Sequence, residues 1–288
     1  MPHIRFETWD DSALQYDSFE KKWHFYGTVA DAMIQQLAIR EDSRVLELAC
    51  GTGACTLRLA EIARAGKVVA LDFSEKMLDV ATENAKAAGA TNVVFVKGDA
   101  GNISRLLFGE KFDFAVCNSA FWHFPQPENV LAGLHELLTE SGEFALSLPS
   151  WVGKNSESWE AFRSKIREVL AKHGLSLNEL SKVWALHPRQ NIDLAAVFNK
   201  CGFQVREVPF EFKVCLESRH DWRQILAFSG NEAWNGSFPN IDPDVEKEIR
   251  KELNDWRKAN FPRDAGVSKW RILVARPSVK PCEGNNSS

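Results

Sequence analysis

The sequence predicts an α/β fold built on a mostly parallel sheet, and three observations carry that expectation. Strand-like and helix-like runs alternate from residue 43 to 149, and such alternation implies parallel strands joined by right-handed crossovers. The strand-like runs are short and almost wholly apolar, as strands buried on both faces are. The first of them passes from SRVLELA through CGTG into an apolar helix. Glycine lacks a Cβ, so a loop of this kind lets bare backbone approach a ligand.

The elements follow in order. Strands are expected at 43–49 (SRVLELA), 67–72 (KVVALD), 92–99 (NVVFVKGD), 112–118 (FDFAVCN) and 142–149 (GEFALSLP). Between the first two, ACTLRLAEIARAG reads as a helix closed by Gly66. SEKMLDVATENAKAAG starts at Ser74 as N-cap and stops at Gly89. PENVLAGLHELLTESG has Pro127 in its first turn and Gly142 beyond its end, with Val130, Leu134, Leu137 and Leu138 on one stripe. After residue 150 the rhythm changes. SWEAFRSKIREVLAKHG sets Trp159, Phe162, Ile166, Val169 and Leu170 on one helical face. LAAVFNKCGFQVREVPFEFKV reads as helix, turn at Gly202, then strand; DWRQILAFSG and VEKEIRKELNDWRKAN are two more amphipathic helices; SKWRILVARP is a last strand. The two late strands can join the sheet as an antiparallel edge pair, with the intervening helices over its carboxyl end.

Composition narrows the function. The net charge is −4 with no basic block, which argues against duplex DNA or structured RNA as the main partner. Cys50, Cys55, Cys117, Cys201, Cys215 and Cys282 form no CxxC pair and no zinc spacing; they suit small buried hydrophobes of a reducing compartment, and no metal is expected. The start, MPHIRFETWDD, lacks a signal-peptide core, and no apolar run is long enough for a bilayer. A cytoplasmic protein without membrane contact is expected. Asn235-Gly-Ser and Asn286-Ser-Ser then read as chance matches to glycosylation acceptors. Of ten tryptophans only Trp122 falls between residues 24 and 150, and both tyrosines, Tyr16 and Tyr26, precede the first strand.

In an open α/β sheet, ligands bind beyond the carboxyl ends of the strands. Glu47 and the loop Ala49-Cys50-Gly51-Thr52-Gly53 end the first strand, Asp72 the second, Asp99 the third, and Asn118-Ser119 the fourth, before Phe121-Trp122-His123-Phe124. A dinucleotide fingerprint fails, because Thr56 stands where its third glycine belongs. A phosphate-binding P-loop fails as well, since no Lys-Ser/Thr follows the glycines.

ELACGTG, LDFS, KGDA and FDFAVCNSAFWHF, in that order, resemble the motifs of class I S-adenosylmethionine-dependent methyltransferases, nearest the small-molecule (type 11-like) branch. The resemblance covers roughly residues 40–150, and more loosely GFQV and WRILVARP. It implies a Rossmann-like seven-stranded, mostly parallel sheet with an antiparallel last strand and a helical lid inserted after the fifth strand. The implied parts are a helical cap over the cofactor (1–42), the cofactor-binding core (43–150), the lid (151–200), the remaining strands with inserted helices (201–278) and a disordered tail (279–288). The implied cofactor is S-adenosyl-L-methionine. Glu47, Ala49, Gly51 and Gly53 would shape the pocket for its methionine half, with Ala49 replacing the commoner first glycine. Asp72, followed by Phe73, would accept from the ribose hydroxyls, and Asp99, with the Ala100 amide, would face the adenine. Asn118 and Ser119 would line the floor under the sulfonium, and Tyr16 and Tyr26 belong to the N-terminal segment folded over it.

The residues keep alternatives open. Asp72 and Asp99 also suit turn or N-cap positions. Glu47, an acid in an apolar strand, needs partners; it either reaches the cofactor's amino group through water or pins loop amides. His123 suits a general base, or a histidine packed beneath the lid. The expected reaction is methyl transfer by in-line displacement to the O, N or C of a small, partly apolar or aromatic acceptor. A protein- or RNA-directed enzyme, other chemistry with the same cofactor, and a silent cofactor-binding module are the alternatives. Oligomeric state is not legible.

Overall fold

The computed structural model describes residues 7–149, 157–175, 193–213, 242–260 and 267–278. The expected helix DWRQILAFSG, the tail after 278, Asn235, Asn286, Cys215 and Cys282 lie outside them. The chain forms two compact units: Met1–Pro149 with Asp193–Phe210 and Lys269–Ser288, and Ser150–Ile192 with Glu211–Ser268. The expected lid segment 151–200 therefore contributes to both.

The first unit opens with helices α1 (Glu7–Trp23) and α2 (Phe25–Ile34). It continues β1 (Arg44–Leu48), α3 (Ala54–Ile62), β2 (Lys67–Asp72), α4 (Glu75–Ala87), β3 (Val93–Lys97), α5 (Ile103–Leu106), β4 (Phe112–Asn118), α6 (Pro127–Leu137) and β5 (Leu138–Pro149). Helix α7 (Glu157–Lys172) follows β5, then α8 (Leu194–Lys200), β6 (Phe203–Lys213), α9 (Pro243–Asn260) and β7 (Val267–Pro277).

The sheet has seven strands in the order β3-β2-β1-β4-β5-β7-β6. Strands β1 to β5 are parallel, with Glu47 level with Ala70 on β2 and Val116 on β4. Strand β7 runs antiparallel to β5, pairing Trp270 with Pro149 and Ala275 with Phe144. Neighbouring residues of β5 point to opposite faces. Ala145 joins the core that Met33 and Ile34 of α2 and Leu59 of α3 build on Val45, Val68 and Val116. Phe144 stacks with Phe198 of α8 at 6.0 Å and meets Phe121. Helix α2 packs into this core, with Phe25, Val29, Ala30, Met33 and Ile34 all buried.

Local chemistry sets the ends of α4. The Ser74 hydroxyl accepts the Met77 amide. At the other end the Gly89 and Ala90 amides reach the Lys86 and Ala85 carbonyls, and Gly89 takes φ +70°. Two expectations need correction. Gly66 does not end α3 in a left-handed turn. Its place is explained by crowding, since a Cβ there would stand 2.0 Å from the Ser43 carbonyl oxygen. Helix α6 ends at Leu137, short of Gly142, because Leu138 already pairs with Phe112. The register then shifts before Glu143 pairs with Phe114, so 139–142 form the irregular start of β5.

In the second unit α7 packs on α9. Ile166, Val169 and Leu170 are buried on one helix, Ile249 and Leu253 on the other. Lys165 links the pair through Glu252 of α9 at 3.0 Å and also bonds Glu168 on its own helix at 2.7 Å. Among the described residues no helix is long and apolar enough to cross a membrane.

Candidate functional site

The carboxyl ends of β1 to β4 bring the expected residues into one region. Beyond β1 the backbone enters the left-handed region three times, at Ala49 (φ +53°), Gly51 (φ +55°) and Gly53 (φ +90°). Ala49 tolerates this at some cost, since only glycine visits the region freely. At Gly53 a Cβ would also press on Ala81 of α4 at 3.3 Å.

Asp72, 5% exposed, holds the loop in shape. Its Oδ2 accepts the Gly51 amide at 2.8 Å and its Oδ1 the Ser74 amide at 2.9 Å. Burial raises its pKa, the amides of Ser74, Gly51 and Phe73 oppose the rise, and nearby Asp10 adds to it. Each carboxylate oxygen has capacity for a further donor.

Glu47 is buried within β1, and its Oε2 accepts from Thr56 Oγ1 at 2.5 Å. Burial pushes its carboxyl up to about 8, against hydrogen bonds from Thr56 and Cys55, and the Asp72 charge adds to the rise. Of the two roles open to it, pinning loop amides is not what these contacts show; it braces the first turn of α3. Cys50, Cys55 and Cys117 are buried free thiols around this acid, and burial raises all three well above the ordinary thiol range.

Asp99 does serve as an N-cap, its Oδ1 accepting the Gly101 amide at 2.8 Å over the single turn Ala100–Asn102. It is nonetheless exposed, and it borders a small pocket lined by Gly101, Phe124, Pro125, Gln126 and Val130. The buried Ala100 follows it. Asn118 donates to the Tyr26 carbonyl at 3.0 Å and accepts from the Ser147 hydroxyl at 2.8 Å. The same hydroxyl accepts the Ser119 amide at 2.9 Å and so supports Ser119 at φ +59°.

Tyr16 and Tyr26 stack at 5.3 Å. Tyr16 lies over the loop, with Cε1 3.8 Å from where a Gly51 Cβ would be. His123 sits between two indoles, edge-on to Trp9 at 5.5 Å and 5.2 Å from Trp122.

Several participants escape sequence reasoning. Asp10 on α1 bonds to the Ser74 hydroxyl and to the Lys76 amide at 3.3 Å. Asn84 on α4 joins Asp17 of α1 to the Thr52 carbonyl. Ser147 is the only one with a local signal, a hydroxyl in the buried run FALSLP.

These groups fit S-adenosylmethionine. Gly51 offers bare backbone beneath the Tyr16 ring, two strand-end carboxylates suit ribose hydroxyls and an amine, and aromatic faces suit a cationic sulfonium. A model of the methyltransferase-domain family Methyltransf_31 matches residues 39–229. The demethylmenaquinone methyltransferase of Geobacillus stearothermophilus is 29% identical over 192 residues, covering 63% of this chain and 80% of that protein. The release factor glutamine methyltransferase of Xylella fastidiosa is 36% identical over 94 residues, 33% of each chain. Among solved structures, the YcgJ protein of Bacillus subtilis shares the fold at a TM-score of 0.55 and 18% identity, over 88% of this chain and 99% of that one. The chain belongs to the methyltransferase-domain family and is an S-adenosylmethionine-dependent methyltransferase.

Proposed function

We propose that this enzyme methylates the O, N or C of a small, partly apolar or aromatic molecule by in-line displacement. The observation that carries the site assignment is the Asp72 carboxylate, nearly buried at the end of β2 and held by the amides of the glycine loop and of the turn that follows it. When bound, S-adenosylmethionine supplies an electrophilic methyl group on a positively charged sulfur. Asp72, preset by Gly51 and Ser74, accepts from the ribose hydroxyls, with Phe73 beside it. Asp99 and the Ala100 amide take the adenine in the slot by Phe124 and Val130. Glu47, through Thr56, keeps the Ala49–Gly51–Gly53 turn in register for the methionine half. Asn118 and Ser119, braced by Ser147, form the floor, and Tyr16 and Tyr26 exclude water above the loop. Fixing both reactants in line is worth about 7–11 kcal/mol, so alignment is the protein's main contribution. His123 takes the proton when the acceptor is a hydroxyl or phenol; a neutral amine needs no such base.

A small acceptor is supported by the name of the Geobacillus relative and by the rings of Trp9, Trp122 and His123. The acidic balance weighs against nucleic acid. The buried free thiols accord with a reducing cytoplasm. A second reading, a protein acceptor, has the Xylella relative's name in its favour.

Titration calorimetry of S-adenosylmethionine against the wild type and Asp72→Ala tests the cofactor site: affinity should fall steeply in the variant, and unchanged affinity would remove Asp72 from its role. A panel of quinols, phenols and amines, read by mass spectrometry for methylated product and S-adenosylhomocysteine, tests the acceptor. Methylation confined to protein substrates would favour the second reading.

A further inference from the structure

Helix α1 is held on the site by two different kinds of contact. At its carboxyl end Glu20 is buried, and its oxygens accept the Gly27 and Tyr26 amides at 2.8 and 2.9 Å. That anchor is inside the protein. On either side of Glu20 in the sequence, Asp17 and Lys21 make polar contacts nearer the surface. The Asn84 side-chain NH2 donates to Asp17 Oδ1 at 2.8 Å and to the Thr52 carbonyl at 3.0 Å. Its Oδ1 accepts from Lys21 at 2.8 Å, and Lys21 also pairs with Asp17 at 2.7 Å. A single amide thus ties one turn of α1 to a carbonyl inside the glycine loop. Tyr16, the neighbour of Asp17, is the residue that lies over Gly51.

We infer that Asn84 is a positioning residue that latches α1 onto the glycine loop and so sets how fast cofactor and by-product exchange. The inference rests on the reading of that loop as the cofactor cradle. An asparagine suits the task because its amide carries two donors, and here one is given to the helix and one to the loop. Part-buried hydrogen bonds exchange readily with water, so each adds only a modest net stability and can be remade in every turnover. Breaking the Asn84 bonds frees the turn that bears Tyr16 and Asp17 from the glycine loop, while Glu20 keeps the Tyr26 and Gly27 amides.

The test is the dissociation rate of S-adenosylhomocysteine, followed in stopped flow by tryptophan fluorescence while excess S-adenosylmethionine displaces it. Asn84→Ala should dissociate roughly tenfold faster, as expected for the loss of one linked pair of hydrogen bonds. Asn84→Asp, which sets a carboxylate against Asp17 and the Thr52 carbonyl, should be faster still. Asp17→Ala should match Asn84→Ala, and the double variant should be no faster than either, because both break the same link. Melting temperatures without ligand should differ little. A wild-type rate in Asn84→Ala, or additive rates in the double variant, overturns the latch while Asp72→Ala still abolishes binding. If Asp72→Ala binds normally, the cradle reading falls, and the latch falls with it.

Discussion

The Asp72 carboxylate accepts the Gly51 amide at 2.8 Å, so the last side chain of β2 shapes the loop that leaves β1. The sheet makes this meeting possible by placing Leu48 level with Leu71. One acid therefore organises a turn 21 residues away in sequence.

Removing that acid strips the Gly51 and Ser74 amides of their acceptor. Asp72→Ala should lower unfolding stability by about 1–3 kcal/mol, as for buried donors left unpaired. Asp72→Asn, which keeps one acceptor oxygen, should fall between. Urea unfolding curves measure both, and wild-type stability in the alanine variant would show the loop to be set by other contacts.

Glu47 makes stability depend on pH. Its carboxyl titrates at about 8 in the folded chain, against 4.5 for an ordinary glutamate. The folded chain therefore keeps a proton that the unfolded chain has released across that interval. The stabilisation is complete below the unfolded value and is lost as pH rises through the folded one. Melting temperature should decline from roughly pH 5 to pH 9, and Glu47→Gln, a permanent mimic of the neutral acid, should flatten the decline. Parallel curves for the two proteins would count against a neutral Glu47.

Ser147 has a role out of proportion to its size. Its hydroxyl donates to Asn118 and accepts from Ser119. Ser147→Ala should cost about 0.5–1.5 kcal/mol of stability, while kcat/KM falls further, because the left-handed turn at Ser119 loses its support. Equal small losses in both measures would make the hydroxyl structural only.

For a hydroxyl acceptor, His123→Asn should slow turnover by about 10²–10⁴-fold, the usual worth of a general base. The pH–rate profiles of wild type and variant should differ. Matching profiles and rates would leave the ring as packing between Trp9 and Trp122.

Gly66 and Gly89 separate crowding from conformation. A Cβ at Gly66 meets backbone at 2.0 Å, whereas one at Gly89 meets open space at φ +70°. Gly66→Ala should cost about 1–3 kcal/mol or more through displaced backbone. Gly89→Ala should cost only about 1–2 kcal/mol through its left-handed φ. Thermal denaturation of the pair ranks them, and the reverse order would refute the distinction.

What the sequence discloses here is local chemistry and periodicity. Ser74 and Gly89 were legible because cap residues act on amides and carbonyls within a few positions. The parallel core was legible because β1 and β2 are apolar through both faces. The end of α6 was not, because the pairing of Leu138 with Phe112 is a tertiary event that overrides a helical stripe running on to Leu138. Gly66 carries the same letter as a cap glycine, and only the approach of Ser43 reveals its purpose. At the site, Asp72 and the loop could be read from their spacing. Asp10, Asp17 and Asn84 could not, since each acts across more than sixty residues on a surface where polar side chains are commonplace.

The placement of β7 between β5 and β6 bears on how the chain acquires its shape during synthesis. Strand β6 leaves the ribosome with no partner beside it, because the strand it must lie against is translated only after the residues of the second unit. Until then β5 presents an open edge, a surface to which foreign strands can pair. A nascent chain of this enzyme should therefore depend on chaperones most strongly in the interval between β6 and β7.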